Sequence, residues 1–114
     1  MKNTILTILI SCFGYFVNAQ EINKNKNAKV EFQVSGNCAM CKKRIEKASM
    51  KVSGVKSSVW NVESGVLKLI INEEKTTVLN IHKAIAKAGH DTDALKANDL
   101  DYAKLHACCQ YERQ

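Results

Sequence analysis

An α+β fold, an antiparallel sheet carrying both of its helices on one face, is what this 114-residue chain predicts. Three observations predict it. Apolar residues alternate with a period of two in three short stretches, 29–35, 55–62 and 66–72. Two stretches with helical spacing are interleaved with them. Turn signals stand where the period changes, at Gly36-Asn37, Ser53-Gly54, Glu63-Ser64-Gly65 and Gly89.

The first strand, 29–35, sets Val30, Phe32 and Val34 on one face. From Cys41 the spacing changes, and Cys41, Ile45, Ala48 and Val52 share the side of a helix that keeps Lys42, Lys43, Glu46 and Lys47 outside. Ser53-Gly54 ends it. The second strand, 55–62, places Ser58, Trp60 and Val62 together. A hairpin turn leads to the third, with Leu67, Leu69 and Ile71 facing inward. Thr76 is suited to cap a second helix on which Val78, Ile81, Ile85 and Ala88 share a face, and Gly89 stops it. A polar fourth strand is expected within 90–97. The order β-α-β-β-α-β is the split βαβ, ferredoxin-like arrangement. A further helix, from Leu100 to about Tyr111, would carry His106, Cys108 and Cys109. Val59, Val66 and Ile70 fall on the opposite sheet face, either under that helix or free to dock a partner.

The amino terminus reads as a secretory signal. Met1-Lys2-Asn3 is a short positive start, 4–17 is almost wholly apolar, and Val17-Asn18-Ala19 offers small residues for a cut after Ala19. The apolar run is shorter than the roughly 18–20 residues a membrane span needs. Residues 1–19 are therefore assigned as signal peptide and 20–28 as a flexible, Asn/Lys-rich leader, and the mature protein is expected to be exported and periplasmic. Leu9-Ile10-Ser11-Cys12 resembles a lipid-attachment box, so lipid anchoring at Cys12 is the alternative. Net charge is +6, falling to +5 if Lys2 leaves with the signal. The basic residues are scattered, without the aromatic-plus-basic stripe that nucleic acids require, and no nucleic-acid partner is expected. No phosphate loop and no nucleophile with a matched base is present, so the chain reads as a non-enzyme.

Chemistry concentrates in Cys38-Ala39-Met40-Cys41. Two thiols three positions apart, in a loop entering a helix, can turn toward one point, and the peptide N–H groups there favour thiolate. Such a pair is either a hook for a soft metal ion or a redox couple. Two thiolates suit Cu(I) and Hg(II), which accept two-sulfur coordination, whereas Zn(II) normally takes four ligands. Lys42 and Lys43 stand beside the site. His90, following Gly89, is a candidate nitrogen ligand or a supporting residue; His82 reads as structural. Cys108 and Cys109 diverge by about 100° if helical and would not easily grip one ion together. His106 and Cys109 would share a face. The tail sulfurs are left as additional ligands, as a disulfide or as packing.

The stretch 32–41, Phe-Gln-Val-Ser-Gly-Asn-Cys-Ala-Met-Cys, followed by Arg44-Ile45-Glu46-Lys47-Ala48, resembles the heavy-metal-associated domain of copper chaperones, metal-pumping ATPases and periplasmic mercury-binding proteins. The likeness covers residues 29–97 and leaves 98–114 as an extension. It implies that Cys38 and Cys41 are the metal ligands. It implies Cu(I) as cargo, with Hg(II), Zn(II) and Cd(II) taken in some branches. A metal transporter or another metal-binding domain would be donor or acceptor, by thiol ligand exchange, with a transient or metal-bridged homodimer as a further association. The chain departs from the family loop, Gly-Met-x-Cys, in being one residue shorter and lacking that methionine; Met40 lies inside the pair instead. The competing readings are a thiol–disulfide redox protein and a disulfide-stapled interaction module. The absence of any proline argues against the first, because thioredoxin-like enzymes set a cis-proline beside their thiol pair.

Overall fold

In the computed structural model, which describes residues 23–114, the chain runs β1 (Ala28–Gln33), α1 (Ala39–Met50), β2 (Val55–Trp60), β3 (Val66–Ile71), α2 (Val78–Lys87) and α3 (Asp99–Ala103), then a 3₁₀ turn, Ala107–Cys109. The assigned signal peptide, its cleavage point and Cys12 lie outside the described residues. Among those described, no helix is long and apolar enough to cross a membrane.

The strands form one antiparallel sheet in the order β1-β3-β2, with Phe32 opposite Leu67 and Trp60 opposite the same residue from the other side. Alternation buries Phe32, Leu67, Leu69 and Ile71, and these meet Ile45 of α1 and Ile81 and Ile85 of α2 in a single core. The result is the ferredoxin-like sandwich that the sequence pattern predicts. Its fourth strand is reduced to one antiparallel bridge, Val34 to Thr92, at the open edge of β1. The segment turns away at once, because the Thr92 N–H bonds to Leu95 O at 2.7 Å and the Thr92 hydroxyl accepts from the N–H groups of Ala94 and Leu95. This is the hydroxyl turn chemistry that competes with a ladder.

Several boundaries differ from the sequence pattern for local reasons. A bulge between Val55 and Ser57 inverts the alternation of β2, so Val55, Ser58 and Trp60 all face the helices. Val62 lies beyond the strand end and is exposed, not in the core. Thr77, not Thr76, caps α2, accepting from the Asn80 N–H at 3.2 Å. The leader is tied down before β1: Asn25 O accepts from the Glu73 N–H, and Lys56 donates to Asn27. Val59 is 53% exposed beside Lys68, which separates it from Glu31, so the C-terminal segment does not cover the outer sheet face.

Candidate metal centre

The loop between β1 and α1 is seated on an indole. A Cβ at Gly36 would come within 2.9 Å of the Trp60 ring and 3.1 Å of Cys41 Cβ, so glycine is what lets the backbone lie there. Trp60 Nε1 donates to Val34 O and Gly65 O, each at 3.1 Å. The Trp60 N–H donates to Glu46 at 2.9 Å, and Lys42 Nζ donates to Trp60 O at 3.0 Å while paired with Glu46. Lys42 and Glu46, expected on the outer face of the helix, instead clamp α1 to β2. Met40, inside the thiol pair, is 46% exposed, and it is the Trp60 ring that lies against the loop at Gly36.

Cys38 is the N-cap of α1, in extended conformation, and Cys41 is one turn on, fully buried. Their Sγ atoms are 3.3 Å apart. The Cys41 thiol also donates to Asn37 Oδ1 at 3.3 Å, a contact that the sequence did not signal. All four cysteines among the described residues are free thiols.

Burial alone would raise the Cys38 thiol. The N–H of Cys41, the thiols of Cys41 and Cys109 and the N–H of Met40 outweigh it and bring the group from 9.0 to about 7. Cys109 is driven the opposite way, by burial first and then by the neighbouring sulfurs. Cys38 therefore supplies thiolate near neutrality and Cys109 holds its proton. Since thiolate is the reactive form, alkylation of the reduced apoprotein should begin at Cys38, with a rate midpoint near pH 7, rather than the roughly 8.5 of a free cysteine. Peptide mapping after iodoacetamide pulses across pH 5–9 checks this, and a midpoint above about 8 would contradict it.

The C-terminal segment comes back over this loop. The single helix expected from Leu100 to about Tyr111 does not form. α3 stops at Ala103, and Cys108 and Cys109 sit on the 3₁₀ turn, closed by the Cys109 N–H on His106 O at 2.7 Å. Adjacent side chains diverge by about 120° on such a turn, and Cys108 is exposed while Cys109 is buried, yet their sulfurs still come within reach of each other. Cys109 Sγ is 3.5 Å from Cys38 Sγ and 4.0 Å from Cys108 Sγ, and the sulfurs of Cys38, Cys108 and Cys109 all lie within 4.8 Å of one another. Cys108 is exposed and approaches Met40 Sδ at 3.5 Å; Cys109 is fully buried.

No histidine belongs to that group. His106 is exposed, and its carbonyl, not its ring, serves the turn. His90 is fully buried, with its ring stacked on Tyr111 at 5.5 Å. Its Nδ1 lies 2.8 Å from Ser35 O and so carries the proton, leaving a buried Nε2 lone pair without a partner. Burial, helped by Arg44, holds its pKa below the usual value, so the ring is neutral at pH 7. His82 packs on Phe32 at 3.9 Å and pairs with Thr92, within the hydrophobic layer.

Fold and loop together define a class: small sandwich modules that present a pair of thiols at the start of their first helix. The model described as the heavy-metal-associated domain matches residues 31–91, over half of the chain, and the chain belongs to that family. Over 54 residues it is 32% identical to the copper chaperone CopZ of Staphylococcus epidermidis, a match spanning 47% of this chain and 79% of that protein. Oxidized MerP from Ralstonia metallidurans CH34 superposes with a TM-score of 0.56 at 29% identity, covering 59% of this chain and 94% of that one. The N-terminal domain of a potential copper-translocating P-type ATPase from Bacillus subtilis, in its Cu(I)-loaded state, gives 0.55 at 30% identity, over 58% and 84% of the two chains.

Proposed function

We propose that this protein is an exported carrier that holds one soft metal ion, Cu(I) first among them, between Cys38 and Cys41 and passes it on by thiol ligand exchange. The carrying observation is the pair itself: two sulfurs 3.3 Å apart where a helix begins, one of them with its pKa drawn down to about 7. Soft thiolates select Cu(I) over harder ions, and the copper proteins among the relatives point the same way. Exchange conserves the ion's oxidation state. A partner thiol gives up its proton and bonds to the ion as one protein sulfur lets go and is protonated. The acceptor on this reading is a metal transporter or another thiol-bearing domain; a second copy bridged through the metal is the homotypic form of the same encounter. No catalysis is required. The leader and apolar start support export to the periplasm.

Native mass spectrometry of the reduced protein supplied with Cu(I) should show one tightly held ion per chain, absent from the Cys38→Ser/Cys41→Ser variant. Undiminished uptake by that variant would refute the assignment. Amino-terminal sequencing of the exported product should begin at Gln20.

A further inference from the structure

The geometry points to a third sulfur ligand supplied by the chain itself: Cys109, docked from the C-terminal tail, closes the Cys38–Cys41 hook, with Cys108 outside the ligand set at its exposed rim. This rests on the reading that Cys38 and Cys41 hold the ion, and it changes what the site is.

With metal–sulfur bonds of about 2.3 Å, two sulfurs in line across an ion stand about 4.6 Å apart, three in a plane about 4.0 Å, and four at tetrahedral corners about 3.8 Å. The separations here are 3.3 Å for Cys38–Cys41, 3.5 Å for Cys38–Cys109 and 4.0 Å for Cys108–Cys109; Cys38, Cys108 and Cys109 lie within 4.8 Å of one another, and Cys41 joins them through Cys38 and through its thiol on Cys109 O at 3.9 Å. All three sulfur–sulfur separations are at or below the spacing of three- and four-sulfur sites and short of the about 4.6 Å of a linear pair. An ion drawn in between needs small side-chain adjustments, not an opening of the loop into a linear bridge.

Cys109 is held in place from both sides. Before it, Leu105 is buried against Gly89. After it, the Tyr111 hydroxyl accepts from the Asp91 N–H at 2.7 Å and donates to Gly89 O at 2.9 Å. Arg113 then grips Asp91 through two nitrogens, at 2.8 and 3.1 Å, and reaches Asp99 at 2.9 Å. A tail present only to cap the core would not need a sulfur at its one fully buried position beside two others.

The consequence is a guarded site. An acceptor thiol takes the coordination place of Cys109 rather than approaching an open two-sulfur ion. The incoming metal–sulfur bond forms as the Cys109 bond breaks, and Cys109 takes the proton that the acceptor released. The chain holds its cargo more tightly and releases it more slowly than its two thiols alone would.

X-ray absorption at the copper edge of the reduced, one-to-one Cu(I) complex of the full chain, shown to be monomeric by native mass, should give three sulfur neighbours. Two would overturn the proposal, whatever any variant does. Cys109→Ser and Cys108→Ser/Cys109→Ser should drop to two neighbours and lose at least about tenfold in Cu(I) affinity against a chromophoric chelator, a difference of about 1.4 kcal/mol. Circular dichroism confirms that each is folded, and the wild-type coordination number decides the matter if either is not. Retention of wild-type affinity by folded Cys109→Ser would also overturn it. Failure of the underlying reading looks different: Cys38→Ser/Cys41→Ser would then bind as well as wild type.

Discussion

Trp60→Ala is expected to be the most destabilising single substitution in the chain. The indole is 1% exposed and supports the thiol loop from below. Truncating a buried Trp to Ala costs about 3–5 kcal/mol, against about 5–15 kcal/mol for a whole domain. Two further losses come with it. The carbonyls of Val34 and Gly65 lose the donor they share, and Gly36 loses the surface on which it lies. For a domain of this size each kcal/mol moves the melting temperature by about 4–8 °C, so thermal unfolding should shift down by at least about 12 °C. Metal affinity should fall as well, since the space beneath Cys38 and Cys41 empties. Trp60→Phe, which keeps most of the volume but no N–H, should lie between the two. A melting shift below about 5 °C for Trp60→Ala would mean that the loop is supported by something other than the indole.

What the sequence made legible was whatever repeats locally. The alternation of Val30, Phe32 and Val34 and of Leu67, Leu69 and Ile71 survives intact, because each strand has one face in the core and one outside. The thiol pair was legible for the same reason: two residues at fixed spacing at a change of period need no distant partner to be noticed. The failures lie where a distant contact decides. The bulge at Val55–Ser57 depends on pairing with Ile70 and Ile71, and no residue within β2 announces it. Residues 100–111 have helical spacing and no proline, yet α3 ends after five residues. Leu105 and Tyr111 gain burial against Gly89 and Asp91 only if the chain breaks between them, and tertiary burial of this kind overrides a weak helix propensity. Cys108 and Cys109 still diverge on the 3₁₀ turn, but Cys38 stands where the Cys109 sulfur reaches it, a placement that no local spacing announces. His90 was noticed for its place after Gly89, but its partners, Ser35 and Tyr111, come from opposite ends of the chain.

Gly89→Ala tests whether the tail is bound by the fold or merely rests on it. Gly89 ends α2 with φ at +101°, a conformation that an L-residue with a Cβ rarely adopts. The added carbon would also stand 2.8 Å from Asp101 O and 3.0 Å from the Leu105 side chain, and the first of these, being backbone, cannot swing aside. The left-handed penalty alone is about 1–2 kcal/mol. Relief of the contact requires α3 to move off α2, which takes Leu105 and the Tyr111 hydroxyl with it. The core that Phe32, Ile45, Leu67, Leu69, Ile71, Ile81 and Ile85 form among themselves does not need the tail, so the variant should keep the fold while exposing its tail. Amide hydrogen exchange across 99–113 should rise by an order of magnitude or more, with 28–71 little changed. Cys109, fully buried in the parent, should become open to alkylation under native conditions. The two readouts are coupled through one joint. Exchange that rises everywhere would mean that the whole domain depends on the tail; exchange that rises nowhere would mean that α2 and α3 have slack between them that a 2.8 Å approach does not allow.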